Sequence, residues 1–250
     1  MLEKIPHSRR REYRDDGKTI KILYPGNALD MEDSGLGTIG RIDHVYLEPG
    51  TSIDKHPHEN DEILSYLRQG TLIHKDSIGN NDELHPQRIL VLNSGRHVEH
   101  EEHVKQDGQT VEMLQIFLRP EKDDLEPMAQ FHDLDEKYST NKWRTLAGND
   151  QRAPVKFRSK TKCYDMLLKA GQHTSLPSLM QFDKLSLFLY VFSGSIALND
   201  HYLSLNTGDS LYIEKEKPNF LAREDSHLIL VVTDRNSEYS SSGLYSGKRW

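Results

Sequence analysis

The sequence predicts an all-β protein built as two small β-barrels. Short apolar or alternating runs recur between turn residues, and helical periodicity is scarce in the first half. The two halves also share a strand, glycine turn, strand pattern: Arg68-Gln69-Gly70-Thr71-Leu72-Ile73 is echoed by Phe192-Ser193-Gly194-Ser195-Ile196-Ala197. In chain order, strands are expected at 39–47, 63–67, 71–74, 88–92 and 111–118. They are separated by Glu48-Pro49-Gly50, Asp76-Ser77-Ile78-Gly79-Asn80 and Asn93-Ser94-Gly95, whose residues tolerate turn conformations. The polar stretch 121–150, with Pro127 and a Gly148-Asn149-Asp150 turn, reads as a linker. A second set follows at 161–169, 185–192, 195–198, 202–205, 210–213 and 227–233. The expected organisation is thus 1–120, a linker 121–150, a second unit 151–234 and a tail 235–250. The tail is serine-rich, a composition that disfavours order. Tyr239, Leu244, Tyr245 and Trp250 are expected to anchor it on its own domains or on a neighbouring chain.

Composition narrows the function. A net charge of -7 provides no broad basic field for phosphate neutralisation, so direct nucleic-acid binding is not expected, and Arg9-Arg10-Arg11 reads as a solvated basic turn. The single cysteine, Cys163, cannot form an intramolecular disulfide, which suits a reducing compartment. The first residues, MLEKIPHSRRREYRDD, lack the apolar core of a signal peptide, and no run is long and apolar enough for a membrane helix. The expected location is the cytoplasm, with no membrane partner.

Two stretches carry chemistry, HPHENDEILSYLRQGTLIHKDSIGN from His56 and GRHVEHEEHV from Gly95. Side chains two apart on a strand share a face, so His56 and His58 project together. In a chain with 13 histidines, such a pair alone is as consistent with a solvated surface as with a metal site. The second stretch has two registers. Val98, His100, Glu102 and Val104 form one face and His97, Glu99, Glu101 and His103 the other. The valines favour burial of the first set, which selects His100 and Glu102; the second set suits water or a secondary metal-scavenging surface. Three imidazoles and one carboxylate would suit iron, manganese, nickel, copper or cobalt, with zinc less distinctive.

These stretches resemble the pirin family, two-domain members of the cupin superfamily. The resemblance rests on H-P-H, then Glu62, Tyr66, Gly70, Asp76-Ser77 and Gly79-Asn80. It continues in the order G-R-x-x-x-H-x-E at Gly95, Arg96, His100 and Glu102, with Gln115 on the following strand. It is detailed over 36–120 and implies a bicupin, two double-stranded β-helix domains. It also implies one divalent metal, iron first, held by His56, His58, His100 and Glu102. Bacterial relatives suggest quercetin 2,3-dioxygenase activity on a small aromatic or enediol substrate with O2, Glu102 then also serving as general base. Eukaryotic relatives suggest instead a redox-sensitive regulator with a protein partner.

Departures set further expectations. Glu59-Asn60-Asp61 follows H-P-H where relatives carry a basic residue or glycine, implying an acidic entrance. His97 stands where relatives commonly have glycine, implying strain if φ is positive there. Glu62 is expected as a carboxylate behind the ligands or in the pocket wall rather than as a further ligand. His74 and Tyr66 could line the site, although packing is the commoner role of such residues. His173, His201 and His227 form no comparable motif, so no metal is expected in the second half.

Overall fold

The computed structural model describes residues 1–179, 184–198 and 203–249. Each half is a pair of facing antiparallel sheets, one of seven strands and one of four, apart from one short parallel pairing. In the first half the large sheet runs in the order Met128–Asp133, Arg88–Asn93, Glu62–Gln69, Val111–Leu118, Ile39–Leu47, Lys18–Leu23, Arg11–Asp15. The small sheet runs Ser52–His58, Val98–His103, Leu72–Asp76, Asn81–Leu84. The second half repeats the plan, with Leu2–Ile5 at one edge of its large sheet and Arg144–Gly148 and Val155–Lys156 at the other. This is the bicupin architecture that the resemblance implies.

The apolar runs lack clean alternation because the large sheets are buried on both faces. Along Val111–Leu118 every residue is buried. Val111, Met113 and Phe117 join Ile63, Leu67, Leu72, Leu84 and Val98 in the core between the two sheets of the first half. Leu114, Ile116 and Leu118 join Phe188, Tyr190, Ile229 and Val231 in a core shared by the two halves. The four-stranded sheet thus lies on a fixed, fully packed base.

The structure redraws the segments at the ends and in the middle. The stretch 121–150 carries two strands: Met128–Asp133 pairs with Arg88–Asn93 of the first half, and Arg144–Gly148 pairs with Thr161–Leu168 of the second. The N-terminal Leu2–Ile5 pairs with Ser210–Ile213, so the first residues complete the second half's sheet. Arg11–Asp15 and Lys18–Leu23 form a hairpin closed by Asp16-Gly17, both at positive φ, a tight-turn signature present in the sequence. The tail docks on the first half, where Ser240 N–H donates to the Pro120 carbonyl at 2.8 Å and Arg119 Nε donates to the Ser246 carbonyl at 2.7 Å. Tyr239 and Tyr245 meet their own chain, whereas the Leu244 side chain is exposed. Trp250, His201 and the start of the strand expected at 202–205 lie outside the described residues. No helix among the described residues is long and apolar enough to cross a membrane.

Candidate metal centre

The small sheet of the first half gathers the histidines. His56 lies directly across from His100, and Val98 across from His58. The pairing then slips by one residue, so that Glu102 faces Ile53. The bulge leaves Asp54 free to turn its carbonyl onto His56; local irregularities of this kind re-aim side chains near functional sites. Val98, His100 and Glu102 face inward and are buried, while Glu99, Glu101 and His103 lie on the outer face.

The three Nε2 atoms converge. His56 and His58 are 3.1 Å apart, His58 and His100 3.0 Å, and His56 and His100 3.1 Å. The partners on the far side of each ring settle which nitrogens carry hydrogen. His56 Nδ1 faces the Asp54 carbonyl at 2.8 Å and must donate. His58 Nδ1 faces the Asp61 carboxylate at 3.3 Å and donates there. Behind His100 stands His74, whose Nε2 donates to Asp76 at 3.2 Å; its Nδ1 is left to accept from His100 Nδ1 at 3.3 Å. All three Nε2 atoms therefore turn bare lone pairs toward one another. Burial depresses the pKa of each of the three rings, that of His100 strongly with the neighbouring histidines adding to it, so protonation does not relieve the crowding.

Such a donor set can hold a metal ion. Nitrogens bound at about 2.1 Å lie about 3.0 Å apart at right angles and about 3.4 Å apart at the tetrahedral angle. The observed edges fit three adjacent corners of an octahedron.

Glu102 stands to one side. A carboxylate oxygen lies within 4.8 Å of ring nitrogens of His74 and His100, a grouping separate from that of His56, His58 and His100. Gln115 Nε2 donates to both of its oxygens, at 3.0 and 3.2 Å. Burial raises its pKa above the ordinary carboxylate value against the pull of His74, His58 and Gln115.

Several expectations are corrected here. Glu62 is buried between the halves, accepting from Asn93 Nδ2 at 2.7 Å and from the backbone N–H groups of Arg158 and Ser159; it fastens the two halves and does not face the ligands. Tyr66 also belongs to that seam, through Asp165 and His227. His97 escapes the strain expected of it, because Gly95 supplies the positive φ of that turn. The acidic entrance reduces to Glu59, which pairs with His97 at 3.1 Å. Asn60 and Asp61 are buried, and Asp61 turns inward. His74, which the sequence offered as a residue that could line the site, stands behind His100, but its pairing with Asp76 and the roles of Asp61, Asp54 and Tyr245 at the site were not expected. The signal for the pair was the H-x-D spacing on one strand; a backbone carbonyl leaves none.

The chain is similar to several known proteins. A quercetin 2,3-dioxygenase of Escherichia coli K12 is 24% identical over 206 residues, covering 82% of this chain and 86% of that protein. A pirin-like protein of Caulobacter vibrioides is 27% identical over 188 residues, covering 74% and 78%. Among solved structures, the E. coli bacterial pirin YhhW in complex with nickel(II) superposes with a TM-score of 0.81 at 19% identity, covering 94% of this chain and 99% of that one. A quercetin 2,3-dioxygenase of Acinetobacter baumannii gives 0.76 at 16% identity, covering 96% and 80%. At these identities the structural likenesses speak to the fold. The Pirin family model matches residues 9–118, so the part of the chain that holds the three converging imidazoles is a Pirin family domain.

Proposed function

We propose that the chain is a metal-dependent dioxygenase that cleaves quercetin-like flavonols or a related enediol with O2. The observation that carries it is the triangle of bare Nε2 atoms, with a buried carboxylate of raised pKa beside it. In this reading His56, His58, His100 and Glu102 hold one divalent metal, iron first, with manganese, nickel, copper, cobalt and zinc as alternatives. The names of the E. coli and A. baumannii relatives support the reaction class, and a single buried cysteine suits the cytoplasm. When bound, the metal supplies open coordination positions for the adjacent oxygens of the substrate and a centre at which O2 reacts.

The chain's residues do the rest. The hydrogen bonds to Asp54, Asp61 and His74 fix each imidazole as an Nδ1–H tautomer, so no ring need turn to offer its lone pair. Glu102 takes the proton of the substrate's acidic hydroxyl, and Gln115 holds both of its oxygens in place.

The register gives a first test. Glu102→Ala is expected to lower affinity for added Fe2+ or Mn2+ and to abolish turnover. Glu101 is half-exposed and paired with Lys75 at 3.2 Å, and Glu101→Ala should leave both within about twofold, since such surface pairs contribute little. Competition with a chromophoric chelator reads the affinities, and equal losses would overturn the assignment. The activity itself is tested by O2 uptake together with loss of quercetin absorbance. If no metal form exceeds a free-metal control, the regulatory, partner-binding reading replaces this one.

A further inference from the structure

Tyr245 lies far outside the residues that the family model matches, on the tail that returns from the second half to the first. Its ring centre is 4.6 Å from that of His58, 6.2 Å from that of His56 and 5.7 Å from that of Phe117. The guanidinium of Arg41 stands over Tyr245 and Phe117, at 5.4 and 5.2 Å. Around the three Nε2 atoms, His58, His74, His100, Glu102 and Phe117 are buried, whereas His56 and Tyr245 are half-exposed. The accessible side of the centre is therefore the side where the His56 and Tyr245 rings stand.

The seat of Tyr245 is built into the ligand sphere. The Tyr245 backbone N–H donates to the Asp61 carboxylate, with its two oxygens at 3.2 and 3.1 Å. Ser246 adds its N–H at 2.8 Å and its hydroxyl at 2.7 Å to the same group. This is the carboxylate that receives the His58 Nδ1–H. Leu244 N–H donates to the Glu59 carbonyl at 2.9 Å, and buried Arg119 clasps both the Ser246 carbonyl and Asp33. One buried anion therefore orients a histidine of the triangle and fixes the backbone that carries the aromatic ring.

We propose that Tyr245 is a specificity-determining residue of the metal centre: its ring is the wall against which a flat aromatic ligand lies while its two adjacent oxygens reach the metal. The proposal rests on the metal reading above and adds the residue that discriminates planar aromatic ligands from compact chelators. A stacked ring pair is favourable beyond the area it buries, and the half-exposed Tyr245 ring stands next to a histidine of the triangle, 4.6 Å from the His58 ring centre. Because the backbone of 244–246 makes the anchoring bonds, changing the side chain leaves the seat in place.

The test uses the full chain loaded with Co2+, whose visible spectrum reports ligand exchange and needs no turnover. Two probes are titrated, 4-nitrocatechol, which is planar and aromatic, and acetohydroxamate, a compact chelator with no ring. Tyr245→Ala is expected to weaken 4-nitrocatechol about 3- to 10-fold, the scale of one aromatic pair, and to leave acetohydroxamate within about twofold. Tyr245→Phe should match the wild type for both, and circular dichroism checks that each variant is folded. Equal weakening of both probes by Tyr245→Ala, no change in either, or tighter nitrocatechol binding would each overturn the proposal. So would a Phe variant as impaired as the Ala variant. Failure of the wild-type chain to take up Co2+ would overturn the metal reading and this inference together, whereas normal uptake with unchanged discrimination would overturn the role of Tyr245 alone.

Discussion

The His56→Ala/His58→Ala double variant is expected to lose bound metal to background while its far-ultraviolet dichroism stays that of the wild type. Two of the three Nε2 atoms disappear, and the survivor, His100, keeps only Glu102 as a near partner from the proposed set. Loss of an outer hydrogen-bond partner alone costs about 10- to 100-fold in metal affinity, so removal of two ligands should cost far more. The fold is held elsewhere. The four-stranded sheet keeps Leu72, Leu84 and Val98 in the first-half core, joined by Val104 just beyond it, and the larger core between the halves contains neither histidine. A second readout follows from mass action. Metal at about 100 times its Kd stabilises the native chain by about 2.7 kcal/mol, which should appear as a rise in Tm for the wild type and none for the double variant. Elemental analysis after dialysis measures the occupancy directly; a fully occupied double variant would show that the metal binds elsewhere.

Local patterning made part of this centre legible. Val98 and Val104 bracket His100 and Glu102, and the structure buries all four while leaving His97 exposed and Glu99, Glu101 and His103 on the outer face. Strands with two largely buried faces, such as Ile39–Leu47 and Val111–Leu118, were readable to the residue because apolar positions recur along their whole length, interrupted only by single or paired polar residues. The exposed edge strand Arg11–Asp15 has no apolar face to betray it, although Asp16-Gly17 marked its turn. The stretch 121–150 read as a linker because the strands Met128–Asp133 and Arg144–Gly148 sit toward the edges of their sheets, and the first of them has no fully buried residue. What sequence pattern could not reach was contact across long separations. Tyr245 and Asp61 are 184 positions apart, and Glu62 meets Ser159 across 97. A serine-rich tail therefore read as disorder-prone, although the structure folds it against the centre. Glu62 followed the histidines in sequence while pointing away from them in space.

Glu102→Gln should keep the metal, once supplied, and lose turnover by about 10²- to 10⁴-fold, the usual contribution of a positioned base. The substitution preserves size and leaves a carbonyl oxygen to accept from Gln115 Nε2, so the side chain has a reason to stay where Glu102 lies. It removes the capacity to take a proton. Metal content and turnover must be measured on the same remetallated sample, because a base and a ligand fail differently. A lost base leaves occupancy intact and slows the chemical step, whereas a lost ligand lowers occupancy, and activity recovers as metal is added. If the variant turns over quercetin at the wild-type rate, Glu102 is not the base, and His74 becomes the group to test, because one of its nitrogens lies within 4.8 Å of the Glu102 carboxylate. If occupancy cannot be restored at any metal concentration, Glu102 is first of all a ligand, and the proton must leave by another route.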